Sequence, residues 1–263
     1  MASSVPTSVP VLVTGASSGI GEEFARRFAG RGHPVTVVAR RGDRLERLAE
    51  HLRTEHSVGV DVAAADLQTA RGRTATAKLL KDGRAWILVN NAGFGSRGRA
   101  VELDADREHN EVQLNVVAVH ELTFAILPAL VQHGTGGVIN VASTASFQPL
   151  PYMATYGATK AFVLSFTEAI AEELKGTGAR AMALCPGPVE TEFDTLAGVQ
   201  DYFELSRPLR MGPEKCVAIA LRAFDRGTTV CIPGALNVAL AQAPRLTPRI
   251  LTRKVSGRVF QPR

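Results

Sequence analysis

The chain has 263 residues, 45% of them hydrophobic, which is enough to bury the core of one large α/β domain or of two small ones. Its net charge of +5 arises in residues 244–263, which hold six cations and no acid, so the rest of the chain is nearly neutral and nucleic-acid binding is not expected. Because we find no apolar run of eighteen residues, no signal peptide and no metal-ligand spacing of cysteine or histidine, we expect a soluble, cytoplasmic protein without a metal.

The first predicted strand, residues 9–14, is followed by the segment TGASSGIG and then by a helical pattern. Gly15 allows a tight turn, Gly19 allows the backbone to approach a diphosphate, and Gly21 allows the helix to pack closely on the strand. The order strand, glycine-rich turn and helix predicts a dinucleotide-binding loop. Its candidate residues are Gly15, Ser17, Ser18, Gly19, Ile20 and Gly21.

The second predicted strand, residues 34–39, ends without the acidic residue that usually holds the ribose 2′-hydroxyl of NAD. Ala39 stands at that position and Arg40 follows it, and a guanidinium group favours a 2′-phosphate instead. The sequence therefore predicts that NADP(H) is preferred over NAD(H), with Arg40 as the contact. The alternative is that Arg40 only covers the start of the next helix.

A third predicted strand, residues 58–63, leads to Asp66 and Leu67. Asp66 is interpreted either as the N-cap of the following helix or as an acceptor for the adenine amino group, and the two roles are compatible. Both residues are therefore candidates for contact with the cofactor.

The fourth predicted strand, residues 86–89, opens into the segment NNAG. The small residues Ala92 and Gly93 let a flat ring approach the sheet edge, and the amide of Asn90 can tie neighbouring strands. We assign Asn90, Ala92 and Gly93 to the cofactor. A long helical pattern at residues 104–131 then places Asn115 among apolar neighbours. Since a buried amide needs hydrogen-bond partners, Asn115 is either a structural residue or part of a polar relay, and we favour the relay.

The centre of the chain carries the residues that we expect to perform chemistry. A strand at residues 138–141 delivers Ser143 to the sheet edge, and the helix that follows carries Tyr156 and Lys160 one turn apart on one face. A cation about 5 Å from the phenol lowers its pKa from about 10 by roughly two units, which suits a general acid or base. The alternative is a surface pair on an amphipathic helix, and the other motifs argue against it.

The last predicted elements close the sheet: a strand at residues 181–185, a helix at 213–226 and a strand at 229–232. The first of these strands runs into the segment PGPVET, where we assign Pro186, Gly187, Val189 and Thr191 to the cofactor. Residues 192–212 show no firm periodicity and are interpreted as a mobile apolar lid. Its large side chains are Phe193, Leu196, Tyr202, Phe203 and Leu205.

With these motifs assembled, the chain resembles the short-chain dehydrogenase/reductase family over roughly residues 9–233. The residues that carry the resemblance, in this order, are TGASSGIG, Asp66-Leu67, NNAG, Asn115, Ser143, Tyr156-x-x-x-Lys160 and PG-x-V-x-T. The resemblance implies a Rossmann-type doubly wound parallel sheet with helices on both faces. It also implies hydride transfer between a nicotinamide cofactor and the carbonyl or secondary alcohol of an apolar substrate, such as a fatty-acyl or steroid-like ketone.

The resemblance also implies roles for the four candidate catalytic residues. Tyr156 would be the acid or base, Lys160 would lower the pKa of the phenol and hold the nicotinamide ribose, and both would contact the cofactor. Ser143 would polarise the substrate carbonyl, and Asn115 would anchor a water in the proton relay. A homodimer or homotetramer formed through the two long central helices is implied as well. The competing hypothesis is a catalytically silent NADP-binding regulatory or scaffold protein, and the complete catalytic set argues against it.

The sequence divides into a flexible N-terminus at residues 1–8, one Rossmann-fold domain at residues 9–243 and a basic tail at residues 244–263. The tail combines six cations with apolar residues, which suggests weak peripheral contact with an anionic membrane surface. However, Pro244 and Pro248 shorten any helix there, and Lys254 and Arg258 interrupt its apolar face. A solvated or subunit-covering tail is therefore the preferred interpretation.

Overall fold

A parallel sheet forms the centre of the fold, in a computed structural model that describes residues 5–199 and 207–262. Within these residues its strands are β1 (Val11–Thr14), β2 (Val35–Ala39), β3 (Val60–Ala64), β4 (Ile87–Asn90), β5 (Gly137–Val141), β6 (Arg180–Leu184) and β7 (Val230–Cys231). The strands pair in the order β3-β2-β1-β4-β5-β6-β7, and every pairing is parallel. This is the predicted doubly wound sheet.

Helices cover both faces of the sheet, as the crossovers between parallel strands require. The α-helices of the described residues are α1 (Gly19–Gly30), α2 (Gly42–His56), α3 (Ala70–Leu80), α4 (Ala105–Val112), α5 (Val119–His133), α6 (Ala154–Glu173), α7 (Phe193–Leu196), α8 (Pro213–Asp225), α9 (Ala235–Gln242) and α10 (Arg249–Phe260). Helices α1, α2 and α8 pack on one face, and α3, α5 and α6 pack on the other.

The strands are apolar on both faces because both faces are covered. In β1, Val11 and Val13 contribute to the core under α1 and α2, whereas Leu12 points to the opposite core under α5. All three side chains are fully buried. A continuous apolar strand of this kind is what a two-sided parallel sheet needs.

The strand order places the ends of several strands at one crevice. Strand β1 pairs with β2 on one side and with β4 on the other, so the crossovers leave β1 in opposite directions. A crevice therefore opens beyond the carboxyl ends of β1 and β4, which is where ligands bind in open α/β sheets. The glycine-rich loop and the segments that follow β2, β4, β5 and β6 all reach this edge.

The long helix predicted at residues 104–131 is continuous from Ala105 to His133 but contains a π-helical turn at Gln113–Ala118. Its length and apolar composition are sufficient to cross a membrane. In the structure, however, Leu122, Ile126 and Leu130 are buried against the sheet, so the apolar composition reflects a core helix.

The segment expected to be a solvated or subunit-covering tail packs on the body of the protein. Helix α10 begins directly after Pro248, so this proline sets its start and does not prevent it. Phe260 is buried in an apolar cluster that includes Leu150 and Val199. The guanidinium of Arg97 donates hydrogen bonds of 2.9 Å to the carbonyl oxygens of Phe260 and Gln261. The C-terminal helix is therefore held in place by both apolar and polar contacts.

We predict that Gly21→Ala lowers the free energy of unfolding by about 1–3 kcal/mol, because the added methyl group would press on the carbonyl oxygen of Gly15 and the side chain of Asn91. Gly59→Ala is the matched control, since a methyl group there meets no atom within 4 Å. Urea denaturation of both variants measures the difference. Equal stabilities would show that α1 shifts to accept the methyl group.

Candidate active site

The glycine-rich loop adopts the conformation that its sequence predicts. Gly15 and Gly19 have φ angles of +67° and +59°, which residues with a Cβ atom rarely adopt. Gly21 lies within α1 against the backbone of Gly15, so its missing side chain allows the close packing of helix and strand. The N-terminus of α1 therefore opens towards the crevice, in the arrangement that suits a diphosphate.

Two arginines follow β2, and the second is the more tightly held. Arg40 is exposed and lines the crevice, as predicted. Arg41 donates from Nη2 to Ser17 Oγ at 2.8 Å and to Ser18 Oγ at 2.9 Å, and from Nη1 to Glu192 Oε2 at 2.7 Å. The sequence analysis assigned the cationic contact to Arg40 alone. The structure adds Arg41 to the cluster.

Asp66 lines the crevice but does not cap the next helix. Its Oδ1 atom accepts a hydrogen bond of 3.0 Å from the backbone nitrogen of Gln68. The N-cap of α3 is Thr69, whose hydroxyl accepts a hydrogen bond from Gly72 at 3.0 Å. The N-cap interpretation of Asp66 is therefore wrong, because the chain makes a turn before the helix begins.

Asn90 was predicted to tie neighbouring strands and also to contact the cofactor, and the structure supports only the first role. Its Nδ2 atom donates to Asn140 Oδ1 at 2.9 Å and to Thr123 Oγ1 at 3.1 Å, which joins β4 to β5 and α5. The side chain is buried on the α5 side of the sheet and does not line the crevice. The next residue, Asn91, lines it instead.

Ser143 lies two residues after the end of β5 and lines the same cavity as Tyr156 and Lys160. Its hydroxyl oxygen accepts a hydrogen bond of 3.1 Å from the backbone nitrogen of Ala145, at the start of a short 3₁₀ turn. This bond fixes the oxygen and leaves the hydroxyl hydrogen for a substrate oxygen.

Tyr156 and Lys160 lie one turn apart on α6, as predicted, and the Lys160 Nζ atom is 5.8 Å from the centre of the phenol ring. Only 5% of Lys160 is exposed, and its Nζ atom donates to the carbonyl oxygen of Val141 at 2.8 Å. Burial lowers the pKa of Lys160 to about 8, and the nearby carboxyl group of Glu111 opposes this shift. The ammonium is therefore still the main form at neutral pH.

Asn115 lies in the π-helical turn, fully buried, and does not line the cavity. Its amide nitrogen donates to the carbonyl oxygen of Phe94 at 2.9 Å and to Thr159 Oγ1 at 3.1 Å, and its Oδ1 atom accepts from the backbone nitrogen of Phe94 at 3.2 Å. These bonds connect the segment after β4 to α6. The structural role is thus directly visible, and the relay role stays a prediction.

The cavity has a volume of about 1100 Å³ and brings most of the predicted site residues together. Of the predicted set, Gly21, Asn90 and Asn115 lie behind its walls. Those that line it are Gly15, Ser17, Ser18, Gly19, Ile20, Arg40, Asp66, Leu67, Ala92, Gly93, Ser143, Tyr156, Lys160, Pro186, Gly187, Val189 and Thr191.

The end of the cavity beyond Tyr156 is largely apolar, and Arg258 of α10 also lines the cavity. The Phe193 ring lies 5.4 Å from that of Tyr156, and Leu196 also lines the cavity, while Tyr202, Phe203 and Leu205 of the predicted lid lie outside the described residues. The remaining apolar lining residues include Leu150, Met153, Leu240, Leu251, Val255, Val259 and Phe260. The contribution of α10 was not predicted from the sequence, although Leu251, Val255 and Val259 recur every four residues.

Glu111 is a second residue that the sequence analysis missed. It is fully buried at the end of α4, where the Ser96 hydroxyl lies within hydrogen-bonding reach of its carboxyl group. Burial raises its pKa to about 8, repulsion from Glu108 adds to the rise, and Lys160 opposes it. Its position four residues before Asn115, on the buried face of the same helix, is the sequence feature that could have identified Glu111.

Comparison with known proteins decides the family. The family model described as short chain dehydrogenase matches residues 10–199. The chain belongs to the short-chain dehydrogenase family. Like its relatives, this dehydrogenase is an oxidoreductase that acts on CH–OH or C=O groups.

Relatives and solved structures agree with the fold. The dehydrogenase is 37% identical over 187 residues to sulfoacetaldehyde reductase 2 of Chromohalobacter salexigens, covering 70% of this chain and 73% of that protein. A short-chain dehydrogenase from Sphingobium yanoikuyae in complex with NADPH is 36% identical, with a TM-score of 0.82 over 97% of this chain and 96% of the other. The bulky-bulky ketone specific alcohol dehydrogenase from Comamonas testosteroni is 35% identical, with a TM-score of 0.79 over 92% and 93% of the two chains.

A nicotinamide cofactor fits the residues at this edge of the sheet. Gly93 keeps the wall beside Lys160 free, since a Cβ atom there would stand 3.4 Å from Lys160 Nζ and 2.9 Å from Asn115 Oδ1. The glycine-rich loop would hold the diphosphate, and Lys160 would hold the nicotinamide ribose. When bound, the nicotinamide ring supplies or accepts the hydride.

We predict that Glu111→Gln reduces the loss of stability between pH 5 and pH 8. The pKa of Glu111 is raised from 4.5 to about 8 in the folded state, so the stability it contributes is complete below pH 4.5 and is lost as the pH rises to 8. Between these pH values, the free energy of unfolding of the variant should fall by about 1–3 kcal/mol less than that of the wild type. Urea denaturation at several pH values measures it, with the exposed Glu102→Gln as the control. Identical pH profiles would contradict the buried, titrating carboxyl group.

Proposed function

We propose that this dehydrogenase transfers hydride between NADP(H) and the carbonyl or secondary alcohol of a bulky apolar substrate. The observation that carries the proposal is the composition of the 1100 Å³ cavity, which has Arg40 and Arg41 at one end, Ser143, Tyr156 and Lys160 in the middle and a largely apolar wall at the other end. The arginines would bind the 2′-phosphate of the cofactor, the polar side chains would act on the reacting carbonyl or alcohol, and the apolar wall would hold the rest of the substrate.

The cationic end supports the preference for NADP(H). Arg40 and Arg41 follow Ala39, so the site offers two guanidinium groups and no acid where NAD-specific folds carry a carboxylate. The hydroxyl groups of Ser17 and Ser18 lie beside Arg41 and add further donors. A 2′-phosphate prefers this combination of fixed donors and positive charge.

The apolar end supports a bulky ketone as the substrate class. Leu251, Val255 and Val259 of α10 line the cavity together with Leu150 and Met153. Such a wall contributes affinity by removing apolar surface from water, at about 25 cal/mol per Å². A fatty-acyl or steroid-like ketone satisfies this requirement, whereas a small polar aldehyde would leave the wall exposed.

The three polar side chains divide the proton chemistry. In the reductive direction, the Ser143 hydroxyl donates a hydrogen bond to the carbonyl oxygen and thereby polarises the carbonyl group. Tyr156 gives its phenolic proton to the same oxygen as the carbonyl carbon receives the hydride. The Lys160 ammonium stabilises the phenolate that forms. In the oxidative direction, the phenolate takes the proton from the alcohol.

Two further parts of the proposal concern location and assembly. The enzyme is cytoplasmic, in keeping with its three buried free cysteines, and it forms a homodimer or homotetramer. A face of α5 and α6 carries the aromatic cluster His120, Phe124, Phe162 and Phe166, and Phe124 is 52% exposed. A second subunit would bury this face. Weak membrane contact by the C-terminus has less support, because Leu251, Val255 and Val259 line the cavity.

We predict that Tyr156→Phe lowers kcat by about a hundredfold to ten-thousandfold with a bulky ketone and NADPH, because the proton donor is lost. The affinity for NADPH should stay within about twofold, which fluorescence titration measures. Tyr152→Phe is the matched control, since Tyr152 lies outside the cavity that holds Ser143 and Lys160. A near-normal kcat for Tyr156→Phe would rule out the proposed acid.

We predict that wild-type kcat/KM is about tenfold to a hundredfold higher with NADPH than with NADH, as charge-assisted hydrogen bonds to a phosphate imply. Arg41→Ala should remove most of this preference, and combining Ala39→Asp with Arg40→Ser should reverse it. Arg47→Ala is the control, because Arg47 pairs with Asp43 on α2 outside the cavity. Equal use of both cofactors by the wild type would contradict the assignment.

A further inference from the structure

The cationic end of the cavity contains an acidic residue that the cofactor assignment does not explain. Glu192 follows β6, while Arg41 and Arg44 lie around the start of α2, about 150 positions earlier in the chain. Glu192 Oε2 accepts from Arg41 Nη1 at 2.7 Å, and Glu192 Oε1 accepts from Arg44 Nη1 at 2.6 Å. These two ion pairs join opposite walls of the crevice, and we call them the arginine–glutamate clasp.

The clasp uses much of the hydrogen-bonding capacity that Arg41 would offer to a 2′-phosphate. The Nε and Nη2 atoms of Arg41 bond to Ser17 and Ser18, and Nη1 bonds to Glu192, so all three nitrogens of the guanidinium are engaged. Arg44 and then Arg41 hold the pKa of Glu192 down at about 2, so its carboxylate is ionised at physiological pH. The Glu192 carboxylate therefore already occupies the position beside Arg41 that a 2′-phosphate would take.

We propose that Glu192 competes within the molecule with the 2′-phosphate of NADP(H). The inference rests on the proposed function, because it assumes that Arg41 contacts this phosphate. Binding of NADP(H) displaces the carboxylate from Arg41, whereas NAD(H), which has no 2′-phosphate, leaves the clasp closed. Glu192 thus limits the preference for NADP(H) over NAD(H). It also weakens the binding of NADP(H), which favours release of the cofactor after hydride transfer.

The opposite role for Glu192 would be to hold Arg41 in a conformation ready for phosphate. The geometry favours competition, because the hydroxyl groups of Ser17 and Ser18 already fix two of the three nitrogens of Arg41. The carboxylate contributes a negative charge within hydrogen-bond distance of the same guanidinium. Two anions repel each other at such a distance, so the carboxylate has to leave when the phosphate arrives.

The test uses two small probes that differ at the 2′ position of the ribose. Adenosine 2′,5′-bisphosphate carries the 2′-phosphate and 5′-AMP lacks it, so their affinities measured by calorimetry isolate the contact with that phosphate. The variant is Glu192→Gln, which keeps the shape of the side chain and removes its charge. Because the Glu192 side chain is 43% exposed, the substitution does not disturb the core. Glu190→Gln is the matched control, as Glu190 lies in the same loop and outside the cavity.

We expect Glu192→Gln to bind adenosine 2′,5′-bisphosphate about twofold to tenfold more tightly than the wild type, as the loss of two partly exposed ion pairs implies. Its affinity for 5′-AMP and both affinities of Glu190→Gln should stay unchanged. Unchanged or weaker binding of the bisphosphate to Glu192→Gln would overturn the competition. Wild-type protein that binds the two probes equally would instead contradict the NADP(H) preference, so the two failures are distinguishable.

Discussion

The buried ammonium group of Lys160 is the constraint on which the rest of the site depends. A charge that is removed from water must be compensated, or the group loses its proton. Here the carbonyl oxygen of Val141 accepts a hydrogen bond from it, and the carboxyl group of Glu111 lies near enough to oppose the fall in its pKa. The backbone at the end of β5 and the carboxyl group at the end of α4 therefore support the catalytic residues, although neither contacts substrate.

The surrounding polar residues hold this arrangement rigid. Asn115 fixes the segment after β4 through two hydrogen bonds to the backbone of Phe94, and a third bond to Thr159 ties it to α6. Phe94 is next to the small residue Gly93 beside Lys160. Asn90 and Asn140 join β4 to β5 in the sheet. A reacting phenol and ammonium need fixed relative positions, and a buried hydrogen-bond network provides them. Such a network is stabilising only when its buried polar groups have hydrogen-bond partners. The buried carboxyl group of Glu111 lies beside this network, where proton chemistry is expected.

The two ends of the cavity are built by different physical means. The cofactor end depends on backbone geometry and charge, with left-handed glycines at the loop and arginines after β2. The substrate end depends on apolar surface contributed by α10, which Arg97 fastens to the body through backbone carbonyl groups. Such a division lets the apolar wall change its shape with little effect on cofactor binding, as expected for a fold that supports many substrates.

The sequence by itself determined the features that depend on neighbouring residues. Continuous apolar strands indicated a two-sided parallel sheet, the glycine-rich turn indicated the crevice, and the spacing of Tyr156 and Lys160 placed both groups on one helical face. Strand alternation could also have shown that Asn90 lies on the same side of the sheet as Leu88, facing the core under α5. Only the tertiary structure brought Glu192 to Arg41, Glu111 towards Lys160 and α10 over the cavity. Backbone periodicity decides which residues share a face of one element, whereas the packing of elements distant in sequence decides which faces meet.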